Sequence, residues 1–221
     1  QARRFAADVA HELRTPLAAM SAVTEVLDED AASGTLPPDT ADAVRLISAE
    51  TRTLARLVED LMEVSRFDAG AARVHMEDVD LRTIVAKTLQ VRGWTDDPRV
   101  TALLHAPVPV RVDPRRIDVV LANLVGNALR HGLPPVTVSA RAAHGRAELT
   151  VTDHGPGIPE EALPHVFERF YKADTARTRS EGSGLGLALT YENAVLHGGT
   201  LTAANAPGGG AVFTLTLPLA G

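Results

Sequence analysis

Residues 44–65, VRLISAETRTLARLVEDLMEVS, set Val44, Ile47, Thr51, Leu54, Val58, Leu61 and Ser65 at spacings of 3, 4, 3, 4, 3 and 4. That is the seam of a left-handed helical bundle, because a helix keeps one face toward a neighbour when apolar or small residues return about every 3.5 positions. Upstream lies a second periodic pattern with Pro16 inside it, and the segment between, Ala31-Ala32-Ser33-Gly34-Thr35-Leu36-Pro37-Pro38, carries the glycine and prolines of a helix break. Residues 1–67 are therefore expected to form an αα-hairpin. Two helices cannot enclose such a seam alone, so a homodimer through residues 1–67, closing a four-helix bundle, is expected as well.

Small residues and a glycine at Asp68-Ala69-Gly70-Ala71-Ala72 end the helical pattern, and residues 68–75 read as a hinge. Beyond them the character changes. Strand-like runs at Val74–Val79, Arg99–His105, Val108–Val112, Val136–Ala140, Ala147–Thr152, Thr200–Ala204 and Ala211–Leu217 alternate with helical stretches at Leu81–Arg92, Pro114–Arg130 and Leu185–Leu196. The expected class is α+β, with residues 76–221 a second domain built on a mixed sheet with helices. Gly155 to Gly184 is the exception, a stretch rich in Gly, Pro, Ser and charge with one short helix expected near Glu160–Phe167. An irregular segment of that length in a compact domain is usually a functional lid.

Composition removes several classes. The 221 residues include no cysteine, which excludes a disulfide framework and Cys-ligated zinc or iron–sulfur sites. No apolar run approaches the roughly 20 residues a membrane helix needs, and the amino-terminal segment is too charged for a signal peptide. Net charge is −6, and residues 1–67 hold 7 basic against 12 acidic side chains. Neither part offers the clustered Lys and Arg that displace counterions from nucleic acid, so no nucleic-acid partner is expected.

On the first helix, taken at about 100° per residue, Phe5, Val9, Leu13, Leu17, Met20, Val23 and Leu27 share one side while Arg4, Asp8, His11 and Thr15 share the other. His11 alone is most simply a solvated side chain. Glu12 beside it changes the chemistry, because the carboxylate can take the proton from one ring nitrogen while the other attacks an electrophile. An H-E-x-x-H zinc helix is ruled out by Thr15, which stands where the second ligand belongs. Asn123 and Asn127 lie one turn apart with Arg130 and His131 following; amide oxygens suit Mg²⁺ and Arg suits phosphate, although a plain polar face is an equal reading of that stretch by itself. Gly182-Ser183-Gly184-Leu185-Gly186-Leu187 opens a helix, as a phosphate cradle does, yet matches neither the dinucleotide fingerprint nor the Walker loop. Asp153-His154-Gly155-Pro156-Gly157-Ile158, alone, is a strand end and a tight turn.

Together these stretches resemble the catalytic core of bacterial sensor histidine kinases of two-component systems. Ala10-His11-Glu12-Leu13-Arg14-Thr15-Pro16-Leu17 is similar to its H box, Asn123 to His131 to its N box, Asp153 to Ile158 to its first glycine box, Phe167-Glu168-Arg169-Phe170-Tyr171-Lys172-Ala173-Asp174 to its F box, and Gly182 to Leu187 to its second glycine box, all in the family's order. The resemblance implies an ATP-binding α/β sandwich of the gyrase and histidine-kinase type after the helical hairpin. It implies that His11 takes the γ-phosphoryl group of ATP with Glu12 as proton acceptor, that the group passes to an aspartate of a response regulator receiver domain, and that Thr15 helps orient water for dephosphorylating that regulator. Asn127 would hold Mg²⁺, with Asn123, Arg130 and His131 beside the nucleotide, and Asp153 would accept the adenine amino hydrogen. Gly155, Gly157 and Ile158 from one glycine box and Gly182, Gly184, Leu185, Gly186 and Leu187 from the other would surround the nucleotide. Phe167 and Phe170 would pack the lid down, leaving Lys172, Arg177 or Arg179 for the phosphates. A cytoplasmic core of a longer, membrane-anchored protein is implied, with no membrane contact of its own.

Related ATPases place a water-activating Glu where Asn123 stands, and an amide cannot serve as that base. Ser183, His154 and the run Ala188-Leu189-Thr190-Tyr191-Glu192-Asn193 depart from common family choices without removing an assigned group. Two other readings compete: an ATP-hydrolysing conformational machine, and a dimeric coiled-coil interaction module with an inactive pocket.

Overall fold

The computed structural model describes residues 2–172 and 183–220, with side chains in the first helix from Leu13 onward. These residues form two compact units, the first running to Ala72 and the second beginning at Arg73. Among the described residues no helix is long and apolar enough to cross a membrane.

The first unit is a hairpin of α1 (Ala2–Ala32), which contains Pro16, and α2 (Pro38–Asp68). Pro38 starts α2 where a missing N–H costs nothing, and Asp39 and Arg66 complement the helix dipole at its two ends. Leu17 packs with Val58 and Met62, and near the loop Ala31 packs with Ala41 and Val44. Between these clusters the contact is small and polar: Thr24, Ser48 and Thr51 are buried, and the Ser48 hydroxyl donates to the Thr24 carbonyl at 3.4 Å. Val44, Thr51 and Val58 of the seam are thus covered. Ile47 and Leu54 remain 55% and 45% exposed, and Leu13, Met20 and Val23 of the α1 stripe are exposed too. One antiparallel partner covers one side of a stripe roughly 100° wide, so alternate seam positions point past it.

The second unit contains β1 (Glu77–Asp80), α3 (Leu81–Val91), β2 (Val100–Leu103), β3 (Pro109–Val112), α4 (Pro114–His131), β4 (Val136–Ala143), β5 (Arg146–Thr152), α5 (Gly186–Leu196), β6 (Thr200–Asn205) and β7 (Ala211–Pro218). Five strands form one sheet in the order β2-β4-β5-β7-β6, with β2 and β4 parallel and the other neighbours antiparallel. β5 and β7 alternate, burying Leu149 and Val151 from one and Phe213, Leu215 and Leu217 from the other. Those side chains share a single core with Leu81 and Val85 of α3, Ile117, Leu121 and Leu124 of α4, and Ala194 of α5. The result is a two-layer sandwich in which each fully buried leucine contributes about 1.5–3 kcal/mol.

The single mixed sheet expected from the sequence is divided. β1 and β3 pair only with each other, as an antiparallel ribbon joined to the main sheet by a bridge between Val110 and Leu219. The strand expected at Val74–Val79 begins at Glu77, because the His75 N–H is committed to Asp113 Oδ2 at 3.0 Å. The strand expected at Arg99–His105 is shorter, and a 3₁₀ turn at Leu163–His165 replaces the short helix expected near Glu160–Phe167. Asp80 and Asp113 cap α3 and α4 by accepting backbone N–H bonds from Arg82 and from Arg115 and Arg116.

Candidate functional site

The end of β5 delivers Asp153 into the protein with only 4% of its surface exposed. Its Oδ1 accepts the Gly155 N–H at 2.8 Å and the Ala211 N–H at 3.3 Å. Both donors go to Oδ1, so Oδ2 is the oxygen left to meet an incoming donor. Glycines surround the carboxylate by necessity. A Cβ on Gly132 would lie 2.3 Å from Asp153 Cγ, one on Gly210 would lie 1.9 Å from the Asp153 carbonyl oxygen, and one on Gly155 would lie 2.7 Å from Gly132 Cα. Only hydrogen fits at these positions.

α4 carries Asn123, Asn127 and Arg130 at intervals of four and three, hence on one side. The Asn123 amide donates to the Gly186 carbonyl at 3.2 Å and to the Thr190 hydroxyl at 3.4 Å. It thereby ties α4 to the first turn of α5. Asn127 is half-buried, and its Oδ1 accepts Arg130 Nη2 at 3.3 Å; a second lone pair remains on that oxygen, a hard donor of the kind Mg²⁺ takes. Gly126 leaves room for the guanidinium to fold back, since a Cβ there would come within 3.3 Å of Arg130 Nη1. Desolvation of the His131 ring and the neighbouring Arg130 charge hold its imidazole below the usual histidine range, favouring the neutral form.

The ends of the irregular segment meet. The Phe170 N–H donates to the Gly184 carbonyl at 2.9 Å, and a Cβ on Gly184, where φ is 70°, would lie 3.0 Å from Phe170 Cα. Phe167 stacks on Tyr191 with centroids 5.6 Å apart and meets the edge of Phe213 at 6.5 Å. The expectation that both phenylalanines pack is corrected for Phe170, a residue that sits at φ 63° against Gly184 and is 62% exposed. Leu185 is buried at the start of α5, and Gly186 is its first residue. Leu187 and Ile158 pack against the core. Lys172 is half-buried, whereas Arg177, Arg179 and Gly182 lie outside the described residues. Thr15 is exposed on α1; His11 and Glu12 belong to α1, with their side chains outside the described set.

The structure thus gathers Asp153, Gly155 and Gly132 in one place and Asn123, Gly186 and Thr190 in another. Gly132, Gly210, Thr190 and Asn205 have no part in the motif reading. Gly132 directly follows the N box, Gly208-Gly209-Gly210 is a visible glycine run, and Thr190 falls in the run 188–193 that departs from common family choices, so those had a signal; Asn205 had none.

Comparison with known proteins agrees with this architecture in two steps. Residues 112–221 match the family of histidine kinase-, DNA gyrase B- and HSP90-like ATPases, which makes the second unit a domain of that class. Residues 1–70 match the His Kinase A (phospho-acceptor) domain. The signal transduction histidine-protein kinase AfsQ2 of Streptomyces coelicolor is 54% identical across 98% of this chain, which covers 42% of AfsQ2. Among solved structures, full-length ShkA in complex with AMPPNP covers 98% of this chain, with the match spanning 46% of ShkA, at 26% identity and TM-score 0.78. The histidine kinase AdeS of Acinetobacter baumannii covers 96% of this chain and 98% of its own at 27% identity and TM-score 0.67. The chain belongs to the sensor histidine kinases of two-component systems and contains their phospho-acceptor and ATPase-fold domains. It spans about two fifths of the length of the curated relatives it matches.

Proposed function

We propose that this chain is an ATP-dependent protein-histidine autokinase in which His11 attacks the γ-phosphorus of ATP, the bond to the β,γ-bridging oxygen breaks, and Glu12 accepts the imidazole proton. The products are ADP and a phosphohistidine, whose phosphoryl group passes to an aspartate of a response regulator receiver domain. The observation that carries the reading is Asp153, with Oδ1 engaged by two backbone donors, Oδ2 left over, and glycines at 132, 155 and 210 keeping the approach clear. A flat heterocycle with an exocyclic amino group fits that arrangement, and the adenine of ATP is such a group.

Asn127 is the residue that would hold Mg²⁺, which when bound neutralises phosphate charge. Lys172, Arg177 or Arg179 are the cations assigned to the phosphates, with Arg130 and His131 beside the nucleotide; phosphoryl transfer consists mostly of positioning and charge neutralisation, so cations near the γ-phosphate supply most of what is needed. Asn123 has no basic lone pair to activate water and its amide is occupied by α5, which leaves His11 little competition as nucleophile. His11 and Asp153 belong to different units, so the transfer requires the 68–75 connector to let reacting atoms approach within about 3 Å. A homodimer through residues 1–67 covers the exposed stripe of the hairpin. Thr15, exposed one turn beyond His11, serves the opposing reaction, orienting a water that attacks the regulator's phosphoaspartate and releases inorganic phosphate. The complete protein is a membrane-anchored sensor with this core in the cytoplasm.

Incubation with γ-labelled ATP and Mg²⁺ tests the reading. The expected result is acid-labile, base-stable label on the wild-type chain and none on His11→Gln. Steady phosphate release without labelled protein would favour a hydrolysing machine, and absence of nucleotide binding would favour an interaction module.

A further inference from the structure

Asn205 is the last residue of β6 and its side chain is exposed, yet it is tied to the turn after Asp153 at both of its polar atoms. Oδ1 accepts the Ile158 N–H at 2.7 Å, and Nδ2 donates to the Ile158 carbonyl at 2.7 Å. The amide therefore complements one whole residue of backbone, as a neighbouring strand would. Gly157, at φ 79°, admits this contact, because a Cβ there would lie 2.7 Å from Asn205 Oδ1.

The other end of the turn is held through the same strand pair. Asn205 is in register with Ala211, and the Ala211 backbone meets Asp153 twice, its carbonyl accepting the Asp153 N–H at 3.0 Å and its N–H donating to the side-chain Oδ1 at 3.3 Å. Asp153, the turn 154–158 and the hairpin segment from Asn205 through Ala206 and Gly210, which are bonded N–H to carbonyl at 2.9 Å, to Ala211 thus form a closed ring of covalent and hydrogen bonds. Removing the Asn205 amide opens that ring on the side away from Asp153.

We propose that Asn205 is a positioning residue for the nucleotide, holding the Gly155-Pro156-Gly157 backbone at a fixed distance from the free oxygen of Asp153. This rests on the reading of Asp153 as the group that recognises the purine. Asparagine suits the role because it presents a donor and an acceptor side by side. Aspartate lacks the donor, serine has one oxygen, and glutamine carries its amide one methylene farther from the strand. Two hydrogen bonds exposed to water add little to the folded state, where water replaces them readily. Their loss falls on ligand affinity, because a loosened turn must be reordered each time a nucleotide binds.

The test uses the whole chain as wild type, Asn205→Ala and Asn205→Ser. Three quantities are measured: affinity for a non-hydrolysable ATP analogue with Mg²⁺, the ATP dependence of His11 labelling, and thermal midpoint without nucleotide. Asn205→Ala should raise Kd and KM about tenfold, with the saturating rate within about twofold of wild type and the midpoint lowered by no more than about 4 °C. Asn205→Ser should fall between, since its hydroxyl can replace only one bond. Unchanged Kd and KM overturn the proposal. So does an equal loss in both variants that tracks the fall in thermal midpoint, which would mark a purely structural residue. A wild-type chain that fails to bind the analogue instead removes the reading of Asp153, and this inference with it.

Discussion

At the scale of single residues the site depends on which atoms are already engaged. Asp153 spends one oxygen on the Gly155 and Ala211 amides and keeps the other. Asp153→Asn separates these roles, because the amide oxygen must stay with the two backbone donors and the NH₂ group is then turned toward the ligand. Donor meets donor, so affinity for an ATP analogue should fall at least tenfold while the fold persists; calorimetric titration of the variant checks this, and unchanged affinity would remove Asp153 from the site. Asp153 was legible from the sequence because a family resemblance placed it. Gly132 was not singled out, since its reason for being glycine is a contact 21 positions along the chain. Asn205 shows the same limit, as its two partners belong to a residue 47 positions away.

At the scale of elements, α4 and α5 are pinned at both ends. Near the site the Asn123 amide joins them. At the far end buried Asp113 caps α4, its own N–H donates to His197 Nε2 at 3.0 Å, and Arg116 Nη1 donates to Asn193 Oδ1 at 2.9 Å. His197 Nδ1 lies 2.7 Å from the Asn193 carbonyl, so Nδ1 donates there while Nε2 accepts the Asp113 N–H. Burial pushes the Asp113 carboxyl upward, but N–H groups from His75, Arg116 and Arg115 and the Arg116 charge outweigh it, leaving the carboxyl below its ordinary value. A native value below the unfolded one means that the stabilisation is complete above about pH 4 and fades as pH falls through the native value. Asp113→Ala should therefore cost about 1–2 kcal/mol at pH 7, and its gap from wild type in thermal or urea unfolding should narrow toward pH 3. A gap independent of pH would mean that the carboxylate charge is irrelevant. The helices themselves were readable in the sequence; the split of the sheet was not, because His75 looks like strand until its N–H is seen bonded to Asp113.

At the scale of the whole molecule, the exposed apolar stripe is the feature a single chain leaves unfinished. Leu13, Met20 and Val23 on α1 and Ile47 and Leu54 on α2 stand open while Leu17, Val44 and Val58 are covered. Burying such side chains yields about 1.5–3 kcal/mol each, enough to drive association. The double substitution Ile47→Glu with Leu54→Glu should leave helicity intact and halve the mass seen by sedimentation velocity. A dimer that survives both charges would place the interface elsewhere. Arg73 and His75, read from the sequence as connector, are bonded to Arg116 and Asp113 and so belong to the second unit.

Local pattern by itself determined the hairpin, the position of its break, most strands and helices, and the family, because periodicity, breaks and short motifs are properties of neighbouring residues. Tertiary structure alone decided which seam positions face inward, where the sheet divides, why glycine is obligatory at 132 and 210, and that Asn205 holds the turn beyond Asp153. Each of those depends on a contact between residues far apart in the chain, and no local pattern encodes the distance at which two such residues finally meet.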